Sequence, residues 1–277
     1  MDSSGSDARF SGSIPELYDS LLVPMIFEPY AADLAKRVAA YRPSRVLETA
    51  AGTGVVTRAM ANALPAHVEL VATDLNQPML DRAAAIGTAR LGTARAITLQ
   101  QADAAALPFD DASFDIVVCQ FGAMFFPDKV RAFSEARRVL RRGGVLLFNV
   151  WDRIEENEFA ETVMAALAGL FPLDPPLFMV RTPHGYFDPR VISRDLADAG
   201  FSEAPQIETM AARSRAPSAH LAAVAYCQGT PLRNEITARS GGNLDDATSA
   251  SEAAIVTRFG TGPVEGKIQA LVVVIQR

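Results

Sequence analysis

From Arg45 to Val150, short apolar runs alternate with amphipathic stretches, and this rhythm limits the fold more than any other feature of the chain. Val46-Leu47, Val68 to Ala72, Ala96 to Leu99, Phe114 to Val118 and Val145 to Val150 are too short for buried helices. They read as strands, the longer ones apolar on consecutive residues as strands covered on both faces are. Between them, Val55 to Leu64, Pro78 to Ala85 and Lys129 to Leu140 carry apolar residues at helical spacing. Gly143-Gly144 is expected to stop the last of these helices, with Arg137, Arg138, Arg141 and Arg142 in its final turn, where cations favour the helix dipole. Strand, helix and strand in succession predict a mostly parallel α/β sheet with helices on both faces.

The flanks are less regular. Residues 1–13, rich in Ser and Gly, read as a flexible tail and not as a signal peptide. Ser13-Ile14-Pro15-Glu16 has the form of a capping box with Pro in the first turn, and a second helix is expected from Pro29 to about Tyr41. Beyond Trp151 a helix is expected over Glu156 to Leu170, then a Pro-rich stretch. Asp188-Pro189 opens a further helix that Gly200 closes. Ile207 to Ala211 is a candidate strand, and Ile268 to Ile275 a closing strand rich in β-branched residues. The expected organisation is a helical flap over 14–44, a core over 45–151, and a completion of the sheet over 152–277. That last part includes a helical insert at about 217–263 for substrate or dimer contact.

Bulk properties narrow the function. With 277 residues and a net charge of −6, the chain is a poor footprint for nucleic acid or an anionic membrane. No apolar run approaches the roughly 18 residues needed to cross a bilayer. Two cysteines, Cys119 and Cys227, make neither a disulfide framework nor a zinc site, which suits a cytoplasmic protein without a metal centre.

Four segments carry chemistry. In Val46-Leu47-Glu48-Thr49-Ala50-Ala51-Gly52-Thr53-Gly54 a strand turns into a helix, and Gly52 and Gly54 let the backbone approach a ligand. Thr57 stands where a dinucleotide fold wants its third Gly, which disfavours NAD or FAD. Asp74 ends the next strand, where a carboxylate can accept from both hydroxyls of a ribose or can cap the helix that follows. Asp103 and Ala104, expected at the end of the third strand, are placed to meet an adenine edge; a plain loop Asp is the competing reading. The strand from Phe114 delivers Gln120 and Phe121 beside the Gly turn, with Phe125 and Phe126 close behind.

Together these segments resemble the class I S-adenosylmethionine-dependent methyltransferases, in particular the ubiquinone/menaquinone-biosynthesis-like group of small-molecule enzymes. The resemblance runs from about Arg45 to Val150. It implies a Rossmann-like, mostly parallel seven-stranded sheet with a helical cap or insert. It implies that the backbone around Ala50, Gly52 and Gly54 holds the methionine end of the cofactor and that Glu48 supports its amino group. Asp74 would hold the ribose, Leu75 and Met79 would lie against the adenine, Asp103 and Ala104 would recognise its edge, and Gln120 and Phe121 would lie near the methionyl part. Tyr18 would close over the site as part of a flap or, equally, anchor that flap. The family often carries Asp and Cys where this chain has Glu48 and Ala51.

Methyl transfer from a sulfonium needs alignment and exclusion of water, and a base only if the acceptor must lose a proton. His184 and Tyr186, in the segment after the fifth strand, are the candidates for a base or an orienting group, against the plain reading of His184 as a solvated loop residue. Alternatives are a non-catalytic S-adenosylmethionine-binding partner subunit and a nicotinamide-dependent oxidoreductase. Methylation of base amines in nucleic acid often uses an Asn/Asp-Pro-Pro-aromatic run after the fourth strand, where this chain has Cys119-Gln120-Phe121-Gly122.

Overall fold

A computed structural model describes residues 7–8, 10–90 and 97–277, apart from the side chains of 88–90. Residues 1–6 and 9 of the expected tail, and Ala96 of the expected third strand, lie outside that range. Seven strands form one sheet: β1 (Arg45–Glu48), β2 (Glu69–Asp74), β3 (Ile97–Gln101), β4 (Phe114–Gln120), β5 (Leu140–Trp151), β6 (Gln206–Ala216) and β7 (Val264–Gln276). Their order is β3-β2-β1-β4-β5-β7-β6. β1 pairs in parallel with β2 and β4, β2 with β3, and β4 with β5. Amide–carbonyl bonds from Gly143 to Arg277 and from Asp152 to Gln269 run in opposite chain directions, so β7 is antiparallel to β5. Successive strands are added outward from β1 to β3, and the chain then returns to place β4 on the other side of β1. Ligands bind open α/β sheets at such a reversal, outside the strands' C-terminal ends.

The chain divides into two compact units. One comprises Glu28–Val150, Tyr186–Met210 and Leu271–Arg277. Following the short N-terminal helix α1 (Ile14–Leu17) in the chain, α2 (Glu28–Ala40) and α3 (Val55–Ala63) bury Leu34, Val38, Val56 and Met60 against Val46, Leu70, Val118 and Leu147 of the sheet. β4 is buried at every residue, the apolar Ile116-Val117-Val118-Cys119 as a strand covered on both faces requires, and Asp115 and Gln120 with them. Gln77–Arg90 forms α4 and Lys129–Val139 forms α5. The latter starts on Asp128, whose side chain accepts from the Arg131 amide.

Helix α5 ends at Val139, before the two glycines expected to stop it; Arg141, Arg142, Gly143 and Gly144 belong to β5. The reason is a bulge. Phe114 pairs with Leu140 but Ile116 pairs with Val145, so β5 carries extra residues there. Gly143 takes φ +77°, and a Cβ on Gly144 would lie 2.8 Å from the Arg141 carbonyl oxygen and 2.9 Å from that of Asp115. Arg141 turns back to form an ion pair of 2.6 Å with Asp115.

The other unit comprises Met1–Phe27, Trp151–Gly185 and Ala211–Ala270. α6 (Glu158–Leu170) packs with two of the three helices between β6 and β7, Ala219–Gln228 and Leu244–Phe259; the middle one is Leu232–Ala238. Small residues, Ala222, Ala223, Ala247 and Ser251, line this packing and are fully buried. Cys227 belongs to it, its thiol 3.4 Å from Ser251 Oγ, and Gly229 and Pro231 simply end one helix and begin the next.

Three local expectations are corrected. Ser13 makes no side-chain cap; its hydroxyl instead accepts from Arg233. Asp7, in the stretch expected to be a loose tail, is buried, and its carboxylate accepts from Arg181 at 2.8 Å and from the Thr182 hydroxyl at 2.6 Å. β6 spans 11 residues, longer than Ile207 to Ala211, because edge pairing carries a strand whose residues are mostly exposed and give no apolar pattern. Between the short helix at Ile14–Leu17 and Glu28, Tyr18–Phe27 forms a π-helix holding Pro24.

Candidate functional site

The C-terminal ends of β1, β2 and β4 meet in a small region of strained backbone. Ala50 and Phe121 are non-glycine residues at φ +51° and +50°, and Gly52 and Gly54 stand at +58° and +80°. Left-handed conformations in side-chain-bearing residues cost about 1–3 kcal/mol each and persist where the surroundings hold them. Here the holders are visible. The Thr49 amide donates to Val118, the Ala51 amide to Thr73, and the Phe121 amide to Asn149.

Gly122 fits tightly against the same turn. A Cβ there would collide with Ala50 Cβ and lie 2.8 Å from Cys119 Sγ. Gly122→Ala is therefore expected to destabilise the protein by about 1–3 kcal/mol through overpacking, read as a lower midpoint in chemical denaturation. An unchanged midpoint would show that the two turns do not depend on this close approach.

Two carboxylates face the turn. Asp74 ends β2; its Oδ2 accepts from the Gly52 amide at 2.8 Å and its Oδ1 from the Asn76 amide at 2.8 Å. It therefore both caps the following segment and braces the Gly turn. Burial raises its pKa above the usual carboxylate value, while the amides of Asn76 and Gly52 pull it down. Glu48 ends β1 and is fully enclosed; its Oε2 accepts from the Thr57 hydroxyl at 2.5 Å. Burial pushes Glu48 up to about 8, against the Thr57 hydrogen bond and the charge of Arg58, and with the charge of Asp74. Thr57, where the helix of a dinucleotide fold would carry Gly, thus holds the carboxylate that the turn encloses.

The remaining sequence candidates on this unit lie around the same strand ends. Met79 is buried in the first turn of α4, while Leu75 is 53% exposed. Asp103 lies two residues beyond β3, exposed, and its Oδ1 accepts from the Ala105 amide at 2.8 Å. Ala104 belongs to the turn it closes. Gln120 ends β4 buried, opposite Asn149 of β5. The Phe121 ring meets Tyr30 edge-on, with centroids 5.2 Å apart.

The candidates for the acceptor side divide between the units. Tyr186 belongs with the residues above; its hydroxyl donates to Asp195 at 2.9 Å, and Lys129 sits 5.0 Å over its ring. Burial and the Asp195 carboxylate both drive its pKa upward, so the phenol stays protonated. His184 and Tyr18 belong to the other unit. His184 is not a solvated loop residue. It is 4% exposed, packs on Trp151 at 6.1 Å, and its Nδ1 lies 2.8 Å from the Asp152 carbonyl oxygen. A carbonyl only accepts, so the proton is on Nδ1, and the lone pair is on Nε2. Burial lowers its pKa to about 4, leaving the ring neutral at pH 7. Tyr18 stacks on Phe27 at 5.0 Å, and Phe27 lies 6.0 Å from Trp151.

Thr57, Gly122 and Asn149 escaped the sequence reading as site residues. Asn149 alone left a signal there: it is the one polar residue in the run from Val145 to Val150.

Residues 47–148 match the family model described as a methyltransferase domain. Among curated relatives, the chain is 32% identical over 142 residues to the ubiquinone/menaquinone biosynthesis C-methyltransferase UbiE of Geobacter sp. (strain M21), covering 49% of this chain and 59% of that protein. It is 38% identical over 113 residues to the demethylmenaquinone methyltransferase of Deinococcus radiodurans, covering 41% and 45%. The matches thus span about half the length of these relatives. Among solved structures, the YcgJ protein of Bacillus subtilis aligns with a TM-score of 0.56 at 21% identity, over 90% of this chain and 99% of that one. The phosphoethanolamine N-methyltransferase 2 of Haemonchus contortus, solved with S-adenosylhomocysteine, aligns with a TM-score of 0.59 at 16% identity, over 100% and 61%. These two likenesses are of fold.

Proposed function

We propose that this chain, whose residues 47–148 form a class I S-adenosylmethionine-dependent methyltransferase domain of the ubiquinone/menaquinone-biosynthesis type, transfers a methyl group to an O, N or C atom of a small molecule. The observation that carries this reading is the Asp74 carboxylate braced against the Gly52 amide among the left-handed turns of β1 and β4. The donor set suits S-adenosylmethionine: a carboxylate for ribose hydroxyls, a buried carboxylate for an ammonium, and the buried Met79 for the adenine face. When bound, the cofactor supplies an electrophilic methyl group on a sulfonium.

The protein's own part is to bind, orient and dry the reactants. Asp74 would hold the ribose, Glu48 the amino group, and the backbone at Ala50, Gly52 and Gly54 the methionine end. Leu75, Asp103 and Ala104 would complete the adenine site, with Gln120 and Phe121 at the methionyl part. On the acceptor side, the neutral His184 offers Nε2 as a proton or hydrogen-bond acceptor. Tyr186, committed to Asp195, orients and does not take a proton. Tyr18 serves the flap.

The acidic balance argues against nucleic acid as acceptor, and in a homodimer the insert between β6 and β7 would be the part in contact with the second copy. Two buried free cysteines suit the cytoplasm. Among the described residues no helix is long and apolar enough to cross a membrane.

Calorimetry is expected to give micromolar binding of S-adenosylmethionine and of its demethylated product, and none of NAD. Saturable NAD binding with no S-adenosylmethionine binding would sink the reading. With an acceptor found by screening, His184→Ala is expected to lower turnover and leave cofactor affinity nearly intact. Unchanged turnover would remove His184 from the acceptor side.

A further inference from the structure

At the C-terminal end of β5 the side chain of Asn149 is completely buried, next to Gln120 across the β4–β5 pairing. Its two polar ends have different fates. The Phe121 amide donates to the Asn149 backbone oxygen at 3.1 Å and to Oδ1 at 3.0 Å. Because a backbone amide only donates, this bond assigns the side-chain oxygen to the Phe121 side and turns the NH2 group away from it. That NH2, Nδ2, has no hydrogen-bond partner among the described residues. A buried donor left unmet costs about 1–3 kcal/mol, a cost that a ligand oxygen brought to Nδ2 would remove.

The oxygen has a structural task. Phe121 stands at φ +50°, a conformation a phenylalanine does not take by itself. The clamp from Asn149 holds that turn from one side, and the Tyr30 ring holds it from another. The turn in its turn presses Gly122 onto Ala50, the start of the left-handed run after β1. Asn149 is thus linked to the shape of both loops that meet at the reversal of strand order.

We propose that Asn149 is a positioning residue of the cofactor site: Oδ1 fixes the turn at Phe121, and Nδ2 donates to an oxygen of the bound cofactor, directly or through one trapped water. The inference rests on the reading of this site as one for S-adenosylmethionine. It adds a residue on β5, beyond the strands that carry the Gly turn, Asp74 and Gln120.

The test uses the full chain, with S-adenosylmethionine and S-adenosylhomocysteine as probes in calorimetry and thermal melting as the check of folding. Asn149→Leu removes both functions and is expected to weaken both ligands about tenfold or more in the folded protein. Asn149→Asp is isosteric, keeps an oxygen toward Phe121 and loses the donor; it is expected to weaken both ligands as well. If Asn149→Leu does not fold, Asn149→Asp decides. A folded Asn149→Asp that binds both ligands like wild type overturns the donor role. A folded Asn149→Leu with wild-type affinities overturns the whole inference. If wild type itself binds neither ligand, the reading of the site fails instead, a result distinct from both.

Discussion

Asp74→Ala is expected to weaken S-adenosylmethionine binding by about two to four orders of magnitude. Two charge-assisted hydrogen bonds to ribose hydroxyls would be lost, each worth about 1.5–3 kcal/mol, and a tenfold change in Kd corresponds to about 1.4 kcal/mol. The loss has a second source. Oδ2 of Asp74 holds the Gly52 amide and Oδ1 the Asn76 amide, so the alanine variant also releases the turn that shapes the methionine end. Global stability should suffer far less than binding, because burial already raises the pKa of this carboxylate and its removal relieves that cost. Asp74→Asn separates the two contributions. It keeps an oxygen for one amide, loses the charge, and should fall between alanine and wild type. Calorimetry in one buffer, with melting curves beside it, checks the order. Equal affinity of Asp74→Ala and wild type would reduce Asp74 to a cap for the segment that follows it.

The parallel half of the sheet was legible because β1, β2, β4 and the second half of β5 are apolar on consecutive residues, which in a short segment points to burial on both faces. Glycine in the first turn was legible for the same elementary reason, since backbone at φ +58° and +80° favours it. What escaped was set by pairing rather than pattern. The bulge that pulls Arg141 to Gly144 into β5 depends on the register against β4, which no local signal records. The extended edge strand β6 has little apolar residue to announce it. The burial of His184 comes from Trp151 and the Asp152 carbonyl, 33 and 32 positions away in the chain. The partnership of Thr57 with Glu48 joins a helix to the strand before it, and only their geometry shows that the residue missing as a glycine is used as a hydroxyl.

That partnership leads to a pH-dependent result. Glu48 titrates near 4.5 in an unfolded chain, and burial raises it to about 8 in the folded one. Between those values the folded protein binds one more proton than the unfolded, so this group makes the free protein less stable as pH rises from about 5 to about 8. With a shift of this size, the loss is at most several kcal/mol. Glu48→Gln cannot ionise and is spared it. The variant should therefore gain stability relative to wild type across that window, with the two closest near pH 5 and furthest apart near pH 8. Cofactor binding should respond in the opposite sense. An ammonium placed beside Glu48 favours the carboxylate, so wild type is expected to release a proton on binding near pH 7 and to bind more tightly as pH rises toward 8. Glu48→Gln should bind weakly at every pH and release none. Titrations in two buffers of different ionisation enthalpy measure the proton directly, and denaturation at pH 5 and pH 8 measures the stability difference. Parallel stability profiles for the two proteins, together with no proton release by wild type, would show that Glu48 is already a carboxylate in the free protein.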